Sequence, residues 1–309
     1  MLIDIALATY NGEKYIQEML NSISNQTYQD FMIHLRDDGS TDNTLTLCEN
    51  HKLYEQGKLK IYKDNIKGLG ASKNFLKILG HCNSEYIFLC DQDDFWMKDK
   101  IQKMLDHIQK HEYKNNIKVP TLVFSDLQIV DRSLNIIADS FYRNSIKSSM
   151  CSSPFDFLLS NHIPGCAMVV NKSLLESIQP LPENFRMHDW WLAFVASFYG
   201  KIAYLDEPLI KYRQHGGNTV GVPGMNINIL RQIKSILNFR DLLDKGLLHK
   251  KKMEIYIDKT CSNKILSYES NRFYDFLKGN MPFLEKNKIF KQIKFGEPLI
   301  LSYLVWLFL

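Results

Sequence analysis

Three carboxylates, Asp91, Asp93 and Asp94, crowd into four positions directly after the apolar run Tyr86-Ile87-Phe88-Leu89-Cys90. Like charges that close repel unless a cation or hydrogen-bond donors neutralise them. The apolar run reads as a buried strand, so the acidic cluster stands at its carboxyl end. Oxygen ligands in an Asp-x-Asp pattern suit Mg²⁺ or Mn²⁺, which usually complete their shell with substrate phosphates. The same residues would also serve as a turn capping the next helix. The choice depends on what the rest of the chain brings to them.

Strand and helix signals alternate through the first third of the chain. Leu2 to Ala8 reads as a strand ending at Thr9-Tyr10-Asn11-Gly12, and Ile16, Met19, Leu20 and Ile23 then repeat with helical spacing. Phe31 to Leu35 runs into Arg36-Asp37-Asp38-Gly39-Ser40-Thr41-Asp42, with a helix predicted over about 43–53. Lys58 to Tyr62 is a third strand, and the helix after it places Ala71, Phe75, Ile78 and Leu79 on one face. The fourth strand, Glu85 to Cys90, leads to a helix with Ile101, Met104, Leu105 and Ile108 aligned. Four such alternations predict an α/β fold with a mostly parallel sheet flanked by helices. Ligands of such sheets sit outside the carboxyl ends of the strands. Thr9-Tyr10, Asp37-Asp38 and Asp91 to Asp94 each follow a strand, so the topology predicts one shared site.

Beyond Pro120 the alternation breaks. Strands are predicted over 121–125, 165–170, 201–205 and 209–212, a helix starting at about Pro154, and a helix opening at Met187-His188-Asp189-Trp190-Trp191. The polar stretch up to Ser153 reads as a mobile loop. From about Met225 the pattern is helical and rich in lysine.

Composition narrows the class. The 309 residues, 45% hydrophobic and 23% charged, suit a globular protein of one large or two modest domains. A net charge of +4 with no basic-aromatic motif argues against nucleic acid. Cysteines at 48, 82, 90, 151, 166 and 261 lack paired spacing, which fits reduced buried thiols. Gly68-x-Gly70 lacks the third glycine of a dinucleotide fingerprint, and there is no Gly-Lys-Ser/Thr phosphate loop. Asp4 stands where a signal peptide would be basic, and no run reaches the ~20 apolar residues of a spanning helix, so a cytoplasmic location is predicted.

Taken together, Ala8-Thr9-Tyr10-Asn11-Gly12, Arg36 to Asp42, Asp91-Gln92-Asp93-Asp94, His188-Asp189-Trp190-Trp191 and Tyr212-Arg213-Gln214-His215 resemble the motifs of the family 2 glycosyltransferases. These are inverting enzymes of the nucleotide-sugar-binding GT-A fold. The last two motifs, with Asp206-Glu207-Pro208-Leu209, are most similar to the bacterial rhamnosyltransferase-like branch that builds surface polysaccharides. The resemblance implies a GT-A domain over 1–222, its nucleotide-binding half at about 1–118 and its acceptor half at about 119–222. A helical, basic region with an apolar tail follows over 223–309.

The resemblance also implies roles. Thr9, Tyr10, Asn11 and Asp38 would hold the base, Tyr10 by stacking, while Asp91 would reach the ribose. Asp93 would hold Mg²⁺ or Mn²⁺ with Asp94 in support, and Lys73 would either touch the nucleotide or be a solvated helix charge. Asp189 would be the base that deprotonates the acceptor hydroxyl; alternatively it caps its helix. His215 would ligate the metal or a phosphate with Arg213 nearby, or be a polar loop residue. Trp96, His188, Trp190, Trp191 and Arg213 would line the sugar or acceptor side, the tryptophans as stacking platforms unless they belong to the core, and His188 either orienting Asp189 or merely exposing an imidazole.

The implied donor is a dTDP- or UDP-linked sugar, dTDP-rhamnose by analogy, and the acceptor a glycan or lipid-linked saccharide. Lys286, Lys288, Lys291 and Lys294 ahead of the apolar stretch 299–309 suggest peripheral contact with the inner membrane leaflet, or a tail packed on the protein itself. A nucleotidyltransferase would open with a basic glycine-rich loop, which Thr9 to Glu13 does not match. A glycoside hydrolase would need neither a metal motif nor a base-binding edge. A UDP-hexose-dependent enzyme of the same fold and a non-catalytic nucleotide-sugar-binding subunit remain as alternatives.

Overall fold

A computed structural model describes residues 1–114, 116–142, 152–158, 160–179, 187–215, 239–261 and 266–292. Its centre is a mixed sheet of nine strands among the described residues. Four of them, β1 (Ile3–Thr9), β2 (Phe31–Asp37), β3 (Leu59–Tyr62) and β4 (Tyr86–Asp91), lie parallel in the order β3-β2-β1-β4. The helices between them are α1 (Ile16–Ser24), α2 (Thr44–Glu49), α3 (Lys52–Glu55) and α4 (Ala71–Leu79). Apolar side chains from both layers are fully buried, including Ile5, Leu7, Ile33, Leu35, Phe88 and Leu89 from the strands and Met19, Leu20 and Ile78 from the helices. Strands buried on both faces are near-continuous apolar runs, which is why β1 and β4 were legible, whereas edge strand β3 is only partly buried.

One helix predicted over about 43–53 is two. His51 is extended (φ −83, ψ 142) and its ring accepts from the Leu53 N–H, capping α3 and breaking the run.

The second half inverts the pattern. After β5 (Phe95–Trp96) and α5 (Lys100–His111), β6 (Tyr113–Lys114) and β7 (Ile117–Lys118) form a separate small ribbon. Next come β8 (Thr121–Val130), β9 (Ile136–Ala138), β10 (Met168–Asn171) and β11 (Lys201–Arg213). Antiparallel β10 is wedged between β4 and β8, and β11 runs parallel to β8 and carries β5 on its far side. The two strands predicted over 201–212 are therefore one, with register shifts on either side of Pro208. Proline lacks the N–H that a continuous ladder needs, and the strand absorbs it as an irregularity. The predicted helix at Pro154 is a single 3₁₀ turn, Pro154–Phe157, and Gly165–Ala167 forms another 3₁₀ turn ahead of β10. The mobile loop predicted up to Ser153 holds β9, and its 143–151 segment lies outside the described residues.

The remaining helices are α6 (Lys172–Ser177), α7 (His188–Tyr199), α8 (Phe239–Thr260), α9 (Tyr268–Leu277) and α10 (Phe283–Gln292). Helix α7 packs on α4, β8 and β11, which carries its first turn to the rim of the sheet. Among the described residues no helix is long and apolar enough to cross a membrane. The apolar tail 299–309 and Lys294 lie outside them. Cys48, Cys82, Cys90 and Cys166 are buried free thiols, Cys261 is free but only half-buried, and Cys151 lies outside the described residues.

Candidate active site

The rim is assembled by strand register. Thr9 pairs with Asp37 and Ala8 with Asp91, so β1, β2 and β4 end side by side. The Thr9 hydroxyl donates to Asp37 Oδ1 at 2.8 Å, and Asp37 Oδ2 accepts from the N–H groups of Gly39 and Ser40 at 3.0 and 2.7 Å. Asp37 therefore shapes the turn, leaving Asp38 on the floor of the rim. Buried Asp38 accepts from the amides of Leu69 and Gly70 at 3.0 and 2.8 Å and lies 3.3 Å from the Arg36 guanidinium. Arg36, itself buried, grips Asp64 with two nitrogens at 3.0 and 2.7 Å and donates to Asn74 at 2.7 Å. This bidentate fork draws the β3–α4 loop against Asp38.

Above that floor, Asn11 adopts a left-handed conformation (φ 48), which asparagine tolerates better than most residues. Its N–H donates to Ser40 Oγ at 2.7 Å, and its side-chain carbonyl accepts from the Thr41 N–H at 2.9 Å. Tyr10 is 56% exposed on the rim. Its main chain is held at both ends by the Gln92 amide, each contact 2.9 Å long. Lys73 is exposed on α4.

The acidic cluster sits where the sheet changes direction between β4 and β10. Asp91, Asp94 and Cys166 bring one ligand atom each within 4.8 Å of one another. Asp94 is buried and accepts from the Arg213 N–H at 3.2 Å, while its Oδ2 has no hydrogen-bond donor among the described residues. Asp93 Oδ2 lies 2.8 Å from His215 Nε2, and the His215 ring stacks on Tyr15. Burial, reinforced by Asp93 and then Asp189, pushes the Asp91 carboxyl up to about 7. Asp94 is raised well above the usual carboxylate range by the same causes, burial first, then Asp93 and Asp91.

A pair of crowded, partly desolvated carboxylates beside an oxygen–imidazole pair fits a hard divalent cation, because bound positive charge would restore their ionised forms. One internal cation, absent from the sequence reading, already lies beneath. Lys100 is fully buried, donates to the Cys166 carbonyl at 2.8 Å and sits 3.7 Å over the Trp96 ring. Burial brings its ammonium down to about 8, opposed by Cys166, Cys90, Asp94 and Asp91. As the first residue of α5, it reads in sequence as a solvated helix charge.

Asp189 reaches the same rim from α7. The N-cap of α7 is Met187, not Asp189, whose carboxylate accepts from the Trp190 N–H at 2.7 Å. Burial pushes Asp189 up to about 6, against hydrogen bonds from Trp190, Gly165 and Asn161. Asn161 and Gly165 carried no motif and were not singled out. Gly165 is needed for close approach: a Cβ there would stand 3.3 Å from Asp189 Cβ and 3.2 Å from His188 Nε2.

Five side chains expected on the sugar or acceptor side are placed elsewhere. Trp96, Trp190, Trp191 and His188 are all buried, so they present no face to a sugar. Trp96 lies under Lys100, His188 stacks on Phe75 with ring centroids 4.0 Å apart, and the two α7 tryptophans pack against His249 and Tyr256. Large aromatics after a strand or inside an apolar helix bury most area in the core. Arg213 is buried as well, donating to the Asp93 carbonyl at 2.8 Å, to the Arg132 carbonyl and to Glu18.

With this geometry in place, the model of "Glycosyl transferase family 2" matches residues 4–178, more than half the chain. The chain belongs to that family. Its fold is that of a GT-A glycosyltransferase, and its chemistry is glycosyl transfer. It is 33% identical over 226 residues to the dTDP-rhamnosyl transferase RfbG of Shigella flexneri, covering 70% of this chain and 73% of that protein. Among solved structures it is similar to S. aureus TarS 1-349 in complex with UDP-GlcNAc. The TM-score is 0.57 at 16% identity, covering 99% of this chain and 88% of that one. It is also similar to the mannosyltransferase PcManGT from Pyrobaculum calidifontis in complex with GDP-Man and Mn²⁺, with a TM-score of 0.50 at 13% identity over 99% of this chain and 86% of that one. At those identities the structural likenesses speak for the fold alone.

Proposed function

We propose that this glycosyltransferase moves L-rhamnose from dTDP-rhamnose, with inversion, to a hydroxyl of a glycan or lipid-linked saccharide of a bacterial surface polysaccharide. The observation that carries the reading is the meeting of Asp189 with the acidic cluster across one turn: Gly165 lies against Asp189, and the next residue, Cys166, puts its sulfur within 4.8 Å of Asp91 and Asp94. The similarity to RfbG supports the choice of donor.

In this reading the base lies against Tyr10, with Asp38 accepting from a ring N–H and Thr9 and Asn11 shaping the slot. Asp91 takes the ribose, and Lys73 stands beside the nucleotide. Asp93 and His215 hold Mg²⁺ or Mn²⁺ with Asp94 behind them. Such a cation neutralises charge on the leaving diphosphate. Asp189, mostly ionised at neutral pH with a pKa near 6, takes the acceptor proton as the hydroxyl attacks the face opposite the diphosphate. The protein works in the cytoplasm, and its lysine-rich C-terminal helices approach the inner membrane leaflet.

A screen of nucleotide-sugars for transfer or hydrolysis, with Mg²⁺, Mn²⁺ or EDTA, tests the reading. dTDP-rhamnose should be consumed with a cation and spared with EDTA. Preference for a UDP-hexose would keep the fold's chemistry and discard rhamnose. Nucleotide binding without turnover of any donor would leave only a binding subunit.

A further inference from the structure

We infer that Lys100 and the Gly165-Cys166 turn it pins form a positioning unit that sets Asp189 against the donor floor. Resting as it does on the reading of Asp189 as base, the inference concerns how that carboxylate is held in register with Asp91 and Asp94. Three contacts carry it. The Lys100 ammonium, fully buried, donates to the Cys166 carbonyl at 2.8 Å. The Cys166 thiol abuts Asp94, and its sulfur lies within 4.8 Å of ligand oxygens of Asp91 and Asp94. The adjoining Gly165 main chain lies against the first turn of α7, so close that a single Cβ would crowd both Asp189 and His188.

One short turn thus touches the floor on one side and the base on the other, and Lys100 is its anchor from below. A lysine is taken out of water at a considerable free-energy penalty unless its charge is compensated. Here the compensation comes from the Cys166 carbonyl and the face of Trp96. A packing role alone would be met by methionine of similar length. Only the ammonium can hold the carbonyl and sit opposite the carboxylates. Lys100 does not touch the substrate in this scheme; it acts through the turn.

Lys100→Met and Gly165→Ala in the full chain test this, assayed at saturating Mn²⁺ with the donor the wild type uses and with donor affinity measured by calorimetry. The first frees the turn; the second pushes it off Asp189 without altering charge. Both should lower kcat on the order of 10- to 100-fold, as a displaced catalytic group does, while donor Kd and KM stay within about threefold. Lys100→Met at wild-type kcat overturns the inference, as does a proportional loss of donor affinity, which would make Lys100 part of the donor site. Should Lys100→Met not fold, Gly165→Ala decides alone, and unchanged kcat there overturns the inference. A wild type inactive with every donor counts against the glycosyltransferase reading itself and is read before either variant.

Discussion

His215 Nε2 stands 2.8 Å from Asp93 Oδ2, although 122 positions separate the two residues. That is the length of a direct hydrogen bond, and because adjacent ligands on an octahedral Mg²⁺ or Mn²⁺, each at about 2.1 Å, also lie about 3 Å apart, in the proposed reading the pair exchanges this contact for one shared ion. Asp93→Asn should abolish detectable Mn²⁺ binding, and His215→Ala should weaken it about ten- to a hundredfold. Titration followed by Mn²⁺ paramagnetic resonance reads both. Unchanged affinity in His215→Ala would leave the histidine as a simple partner of Asp93.

Asp189→Asn should separate activity from stability. Donor binding should survive while transfer falls at least about a hundredfold, the usual contribution of a positioned base. The stability sign follows from linkage. The folded-state pKa, near 6, lies above the ordinary carboxylate value of 3.8. Folding therefore favours the protonated form, and the stability this gives is fully present below about pH 4 and lost as pH rises through 6. At pH 8 the asparagine variant escapes that loss and should melt a few degrees higher than the wild type. At pH 4 the two should melt together. Wild-type kcat should fall in step as pH drops below about 6, because the base becomes protonated.

Much of this site was legible because a parallel sheet gathers strand ends whatever their separation in sequence. Thr9, Asp37 and Asp91 needed only their places after apolar runs to be brought together. What was not legible depends on burial rather than spacing. Lys100 looks like any charge at a helix start, and nothing in its neighbours shows that it is buried against Trp96 and Cys166. Arg213 carries a motif position, yet its guanidinium faces inward because Glu18 and two carbonyls wait there. Gly165 matters only through the side chain it lacks, since a Cβ there would crowd Asp189 and His188, and that leaves no pattern. The antiparallel insertion of β10 was equally hidden, since a four-residue apolar strand reads the same in either direction.

Gly12 and Gln92 offer a test of the base slot. A Cβ at Gly12 would fall 2.3 Å from Gln92 Oε1, the far end of a flexible side chain. Gly12→Ala should therefore displace the glutamine and release its two contacts with the Tyr10 main chain, not strain the backbone. Stability should change by less than about 1 kcal/mol, while nucleotide affinity drops severalfold as Tyr10 loses its support. Gln92→Ala should behave alike, and the double variant should be no worse than either single one, the signature of one shared contact. Additive losses would show that Gly12 acts through something other than Gln92.

Arg213 joins stability to metal affinity. Its guanidinium donates to the Asp93 and Arg132 carbonyls and pairs with Glu18, so it fastens the acidic loop to α1. Arg213→Met leaves two carbonyls short of a donor, at roughly 1–3 kcal/mol each, whereas the half-exposed Glu18 carboxylate can return to water. A loss of about 3 kcal/mol in urea unfolding is expected, with weaker Mn²⁺ binding because the Asp93 main chain is no longer fixed. Arg213→Lys restores a charge near Glu18 but not the planar fork, and should recover less than half of either loss. A methionine variant as stable as the wild type, or one that loses stability with Mn²⁺ affinity intact, would show that the loop carrying Asp93 holds its shape without this arginine.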